Sequence, residues 1–347
     1  MKRINVWIGV VVVVTQFASV SSVGADVFGS GANSFEIEFV TIGEPGNAPD
    51  MTGDPNPAGS VPYVYRIGKY EISEAMIDKA NAQSVADGGL LGITHDMRGP
   101  NKPATSVSWF EAAKFVNWLN ASMGDTPAYK FDANGDFQLW LPSDAGYDTS
   151  NPFRNGLARY VLPSDDEWYK AAFYDPVSSA YHDYPTGSDI APISVASGTT
   201  PGTAVWNQPF EQGPAEVTLA GGVSPSGTVG QGGNVLEWEE TETDLINDTS
   251  TALRGVRGGD WISSITPLDL SSAFRNLALP ERIPLNVGFR VASVPEPTMW
   301  CLVLVGISLL ILHRRRKHGF QPCLPEARSK EMLCGTTVLN ETSISTI

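Results

Sequence analysis

Between residues 26 and 297 the chain has no cysteine; its three cysteines stand at Cys301, Cys323 and Cys334. That excludes disulfides and thiolate metal ligands from the body of the molecule, so its stability must come from an ordinary core. Basic residues are also few. The same stretch holds 15 Lys and Arg against 35 Asp and Glu, a balance of −20. Nucleic-acid binding requires a basic stripe to neutralise phosphates, and this balance excludes that class. It suits a protein kept soluble outside the cell, among divalent cations. Histidine is rarer still, with only His95 and His182 in the body, each followed by an aspartate. No helical or strand spacing joins them, so they read as loop histidines, with a two-histidine, one-carboxylate iron site as the sharper alternative. Gly-rich phosphate loops, a nucleophile elbow and an HExxH phrase are all missing.

The two ends carry the apolar runs. Lys2 and Arg3 precede a nearly continuous apolar stretch from Val6 to Val14, and Val23-Gly24-Ala25 supplies small residues before Asp26. This pattern predicts a secretory signal over residues 1–25 and a mature start at Asp26. A second apolar run spans Met299 to Leu312 and is closed by Arg314-Arg315-Arg316-Lys317. Fourteen helical residues reach about 21 Å, short of a hydrocarbon core of about 30 Å. Length alone therefore favours a marginal or processed membrane segment over a permanent anchor. The basic cluster would stay in the cytoplasm and leave residues 26–297 outside.

The body is long enough for one large domain, and neither a boundary nor a repeat divides it. Phe35, Ile37 and Phe39 alternate with polar neighbours and predict a strand over 34–44; Tyr63 to Glu71 is a second candidate. Ser73 heads a short helix over 73–85. Ser108 with Glu111 forms a capping box ahead of a helix whose Phe115, Trp118 and Leu119 share one face. Residues 129–141 alternate on both sides of Asn134-Gly135, the signature of a hairpin. A calcium loop at Asp132, Asn134 and Asp136 is excluded, because the glycine falls too early and no twelfth-position glutamate follows. Ser164 caps a further helix with acidic residues in its first turn. The stretch from Tyr174 to Gly230 is Gly-, Ser-, Thr- and Pro-rich without period, which inside a domain marks a folded or functional loop.

Six phrases follow one another along this body: Gly68-Lys69-Tyr70-Glu71-Ile72-Ser73, Val107-Ser108-Trp109 with Ala112, and Leu162 to Ala172 come first. Gly233-Asn234-Val235-Leu236-Glu237-Trp238, Arg257-Gly258-Gly259-Asp260-Trp261 and Gly288-Phe289-Arg290 complete the series. In kind and order they resemble the formylglycine-generating enzymes, the sulfatase-modifying factors. The resemblance covers nearly all of residues 34–293 and implies an α+β fold: a single mixed domain of C-type-lectin-like type, with little regular secondary structure, short strands and two main helices. Buried tryptophans, glycine turns and a paired arginine explain most of the phrases structurally.

In the catalytic family two cysteines follow the R-G-G-S phrase, bind copper and activate oxygen. Here the first position falls on Ser263 and the second within Thr266–Leu268. Asp260 stands for the family's serine and Leu236 for its tryptophan. A hydroxyl neither holds Cu(I) nor forms a mixed disulfide, so no copper and no catalytic residues are expected. The family's calcium chemistry maps to Gly233, Val235 and Glu237, whose oxygens suit a hard cation. One usual ligand position is Gly230, and a structural pairing of Glu237 with an arginine is the rival reading.

Val294-Pro295-Glu296-Pro297, the apolar run and the arginine cluster together resemble a PEP-CTERM sorting signal over residues 294–317. That resemblance implies an exosortase as partner and release or attachment at the cell surface. The polar tail over 318–347 departs from it, since such signals normally end soon after the basic cluster. The expectation is a non-catalytic surface module for a glycan, peptide or matrix component. The alternatives are an active formylglycine-generating or other metal-dependent oxidase, and a purely structural matrix protein.

Overall fold

Alternating apolar side chains determine where the first sheet lies. In the computed structural model, which describes residues 23–295, Phe35, Ile37, Phe39, Val40 and Ile42 turn inward from one strand. In chain order the regular elements begin with β1 (Val23–Phe28), β2 (Phe35–Ile42) and β3 (Tyr65–Gly68). Helices α1 (Glu74–Ala86) and α2 (Trp109–Met123) follow, then the hairpin strands β4 (Lys130–Phe131) and β5 (Phe137–Gln138). Next come β6 (Tyr160–Val161), α3 (Asp165–Phe173), β7 (Tyr174–Asp175) and β8 (Ala180–Tyr181). Short strands β9 (Ile193–Ser194) and β10 (Thr203–Ala204) lead to β11 (Leu236–Glu242) and β12 (Arg254–Arg257). The last three are β13 (Asn276–Ala278), β14 (Val287–Gly288) and β15 (Ala292–Ser293).

β1, β2, β3, β15 and β6 form one antiparallel sheet in that order, with Ala292 paired to Ile67 on one side and Val161 on the other. A strand from each end of the described chain is thus built into the same sheet. Asp26 of β1 reinforces it, receiving Arg66 Nη2 at 2.6 Å and the Tyr160 hydroxyl at 2.7 Å. Val23 to Ala25, the expected processing site, form the outer half of β1 opposite Val40, Phe39 and Glu38. A chain cut after Ala25 would keep the half of β1 that carries this ion pair.

The second sheet has the order β13-β12-β11-β14, with β11 parallel to β14 and a register shift between Trp238 and Glu242. Between the sheets lies an aromatic core centred on Trp109, whose ring is 5.3 Å from Tyr129 and 5.0 Å from Phe137. Helix α2 seals one side through Phe115 against Phe289 and Trp118 against Phe35, at 5.6 and 5.8 Å.

The local signals resolve as expected at the helix starts. Ser108 with Glu111 and Ser164 with Glu167 make complete capping boxes, and Gly124 ends α2 at φ 79° in the left-handed region. The hairpin around Asn134-Gly135 forms but keeps only two residues per strand. The second strand is also shorter than its apolar pattern suggested. Lys69 N still bonds Glu38 O of β2 at 2.8 Å, but Gly68 N already bonds Val291 O at 2.7 Å and Ile72 N bonds Phe289 O at 2.9 Å, so the regular ladder ends at Gly68.

Candidate functional site

Strand β11 reads Leu-Glu-Trp-Glu-Glu-Thr-Glu, and every one of its residues is buried. Four glutamates on a buried strand are tolerated only if each is paired and hydrogen-bonded. Glu240 takes Arg154 Nε at 2.9 Å and the Tyr129 hydroxyl at 2.7 Å. The same guanidinium reaches Glu167 of α3 through two bonds of 3.0 and 2.9 Å. Burial pushes the Glu167 carboxyl up, but Arg154 outweighs it and holds the group below its ordinary value. Glu239 pairs with Arg257 at 2.6 Å and Arg275 at 3.0 Å. Burial, with the charge of Asp165 next, still pushes its carboxyl up to about 7.

Glu237 is the residue expected to serve calcium together with Gly233 and Val235. Its Oε1 accepts from Arg290 Nη2 at 2.5 Å, and its Oε2 accepts from Arg290 Nε at 2.5 Å and Trp168 Nε1 at 2.7 Å. Arg290 is itself locked by the carbonyls of Gly68 and Val229 at 2.8 and 2.9 Å. The guanidinium therefore takes the side of Glu237 that a cation would need. Gly233, at φ 91°, is required by packing, since a Cβ there would meet Val205 O at 2.4 Å. Asn234 donates to Glu71 Oε1 at 2.9 Å, while Glu71 Oε2 is buried without a hydrogen-bond partner. Burial raises the Glu71 carboxyl to about 7, and the nearby Glu237 adds to the rise. As arranged, this loop does not fit a cation held by Glu237.

The positions that depart from the catalytic pattern meet in space. Leu236 N donates to Asn286 O at 3.0 Å, and the Asn286 amide donates to Asp260 Oδ2 at 2.9 Å. Asp260 Oδ1 accepts from the backbone N–H groups of Ile262 and Ser263 at 2.8 and 2.6 Å, and the Ser263 hydroxyl donates to Oδ2. Asp260 is fully buried and Ser263 exposed, so one carboxylate staples the loop where a thiol pair would be needed. The stretch expected to hold the second position, Thr266–Leu268, enters a short 3₁₀ turn with Leu268 exposed. None of these side chains is a soft ligand, so the group does not fit copper.

His95 and His182 are engaged by local carboxylates. His95 Nε2 is 3.0 Å from Asp78 and His182 Nδ1 is 3.1 Å from Asp189. Among the described residues no group of three or more His, Cys, Asp or Glu is placed to hold a metal ion. Cys301, Cys323 and Cys334, the run Met299–Leu312 and the tail 318–347 lie outside the described residues, as does most of residues 1–25. Among the described residues no helix is long and apolar enough to cross a membrane.

With fold and site in place, comparison with known families gives a clear result. The model of the sulfatase-modifying factor enzyme 1-like domain matches residues 48–294. The chain belongs to this family. A chaperone protein, LppX of Paenibacillus barcinonensis, is 23% identical over 212 residues, covering 60% of this chain and 72% of the relative. Hercynine oxygenase of Mycolicibacterium smegmatis is 32% identical over 148 residues, which is 38% of this chain and only 32% of that enzyme. Among solved structures, Treponema denticola variable protein 1 superposes with a TM-score of 0.52 at 17% identity, over 78% of this chain and 99% of that one. The structure of CarF superposes with 0.54 at 21% identity, over 75% and 98%. Both support the mixed α+β fold, and at such identity they speak for fold alone.

What the sequence reading missed in this sulfatase-modifying-factor domain is the charged interior. The glutamates of β11 were visible as letters, but their partners Arg154, Arg257, Arg275 and Arg290 come from four other segments. Only the run of glutamates on either side of Trp238 hinted at it.

Proposed function

We propose that this chain is an exported, non-catalytic member of the sulfatase-modifying factor family that binds a cell-surface glycan. One observation carries the non-catalytic part: Asp260, Ser263 and Asn286 close a hydrogen-bonded network where the chemistry of the family requires thiols. The acidic body and the expected export signals support a role outside the cell. Glu237 has a structural task in this reading, with Arg290 as its cation. Residues 1–25 would direct export, and Val294 to Lys317 would be read by an exosortase, with the mature chain beginning at Asp26.

The test is binding of the full chain to bacterial surface polysaccharides, alongside metal analysis. Saturable polymer binding without stoichiometric copper or iron is expected. Turnover of a thiol substrate with bound copper, or stoichiometric iron, would replace this reading with the oxidase one that the hercynine oxygenase similarity would favour. Mass spectrometry of the exported protein checks the processing points, with Asp26 as the expected first residue.

A further inference from the structure

A cavity of about 190 Å³ opens at the start of α3, lined by Pro55, Pro57, Asp165, Asp166, Thr241 and Asn247 among others. It is separate from the Asp260 loop and owes nothing to the six family phrases beyond the helix start. Three of its polar residues are more than nine-tenths buried: Asp165 is 4% exposed, Asn247 7% and Thr241 8%. Buried polar groups facing a cavity are costly unless something completes their hydrogen bonds.

Their bonding capacity is only partly used. Arg257 and Arg275 all reach Oδ1 of Asp165, at 2.9 to 3.2 Å, and none of these contacts uses Oδ2. Thr241 Oγ1 accepts from Asp165 N at 2.9 Å, which leaves its own proton to donate. Asn247 accepts from Glu242 N at 3.0 Å and gives one amide proton to Asn151 at 2.9 Å, keeping the second. Asp166 Oδ1 accepts from Gly59 N at 2.6 Å, with Oδ2 beside it. The unspent set is thus two carboxylate oxygens together with a hydroxyl and an amide donor, next to the apolar rings of two prolines.

That mixture selects a ligand. An ammonium group would satisfy the carboxylates and leave the donors idle, and an anion would be repelled by Asp166. A metal lacks its ligand cluster, since no suitable group of carboxylates exists among the described residues. Neighbouring hydroxyls of a sugar ring both donate and accept, and their C–H face can lie against proline. Pockets that combine an apolar wall with a few convergent polar groups are the usual form of small-ligand sites. We propose that this cavity binds a single pyranose residue of a glycan through Asp165, Asp166, Thr241 and Asn247. The proposal rests on the glycan-binding reading above and gives it a location.

Saturation-transfer NMR on the full chain with free neutral hexoses tests it, with an alkylammonium ion and calcium as controls. Transfer from at least one hexose is expected, weakened about tenfold by Asp166→Asn, a change at an exposed position, and by Thr241→Val; tenfold corresponds to about 1.4 kcal/mol, within the worth of one hydrogen bond to a charged group. Unfolding midpoints confirm that both variants fold. Silence from every hexose, equal transfer in wild type and Asp166→Asn, or transfer only from the ammonium ion or in the presence of calcium overturns the proposal. The two readings fail separately. Polymer binding that survives both substitutions sinks the cavity and keeps the glycan reading, whereas hexose binding without polymer binding does the reverse.

Discussion

Asp260 shows how one residue can redirect a loop. It accepts two backbone N–H groups, the Ser263 hydroxyl and the Asn286 amide, all around a fully buried carboxylate. Asp260→Ala would strand these donors, and a loss of about 1–3 kcal/mol in denaturant unfolding is expected, the usual cost of orphaned buried groups. Glu71 behaves differently, because its buried Oε2 has no partner and its carboxyl is raised to about 7. Glu71→Gln keeps an acceptor for Asn234 and removes the ionisation. The variant is expected to equal the wild type below pH 4.5 and to exceed it in stability at pH 8. Both residues stand inside phrases that were recognisable in the sequence. Their substitution pattern was legible; what they touch was not, since Asn286 and Asn234 lie far along the chain from their partners.

Among the elements, α2 and α3 were the most legible, because a capping box needs only four consecutive residues. Ser108→Ala or Ser164→Ala should each cost about 1 kcal/mol in thermal or denaturant unfolding. Strand β11 was the least legible. Its glutamates break the apolar pattern that marks a buried strand; four arginines make Glu237, Glu239 and Glu240 tolerable, and the Thr249 N–H serves Glu242. Arg154→Ala would leave Glu167 and Glu240 buried and uncompensated, so a loss of about 3–5 kcal/mol is expected. An equal loss from Arg159→Ala, whose guanidinium is one-third exposed and 3.7 Å from Asp26, would contradict this assignment.

For the whole molecule the ionised interior sets a dependence on pH. Glu71 and Glu239 both have carboxyls raised from 4.5 to about 7, so the stability they contribute is complete below 4.5 and is lost as pH rises through 7. Each such group weakens the fold by about 1.4 kcal/mol per pH unit across that window. Glu167 and Asp26 are shifted the other way by Arg154 and Arg66, against the opposing effect of burial, and their contribution is lost as pH falls below the ordinary carboxylate range. Maximum stability is therefore expected near pH 5, declining towards pH 8, as followed by the unfolding midpoint. Calcium at millimolar concentration, compared with chelator, should leave that midpoint unchanged. An upward shift that Glu237→Gln abolishes would place a cation in the Gly233–Glu237 loop after all.

The sequence alone determined the family, the α+β class, the helix starts and the absence of thiols between residues 26 and 297. These depend on local spacing, on the order of short phrases and on residue identity, all of which survive in one dimension. Only the tertiary structure decided which charges meet. It gave Glu237 to Arg290 and not to a cation, joined Leu236, Asp260 and Ser263 through Asn286, and assembled a polar cavity from the Pro55–Pro57 loop, α3 and β11. Such contacts bridge segments dozens to more than two hundred residues apart, and no periodicity along the chain records them.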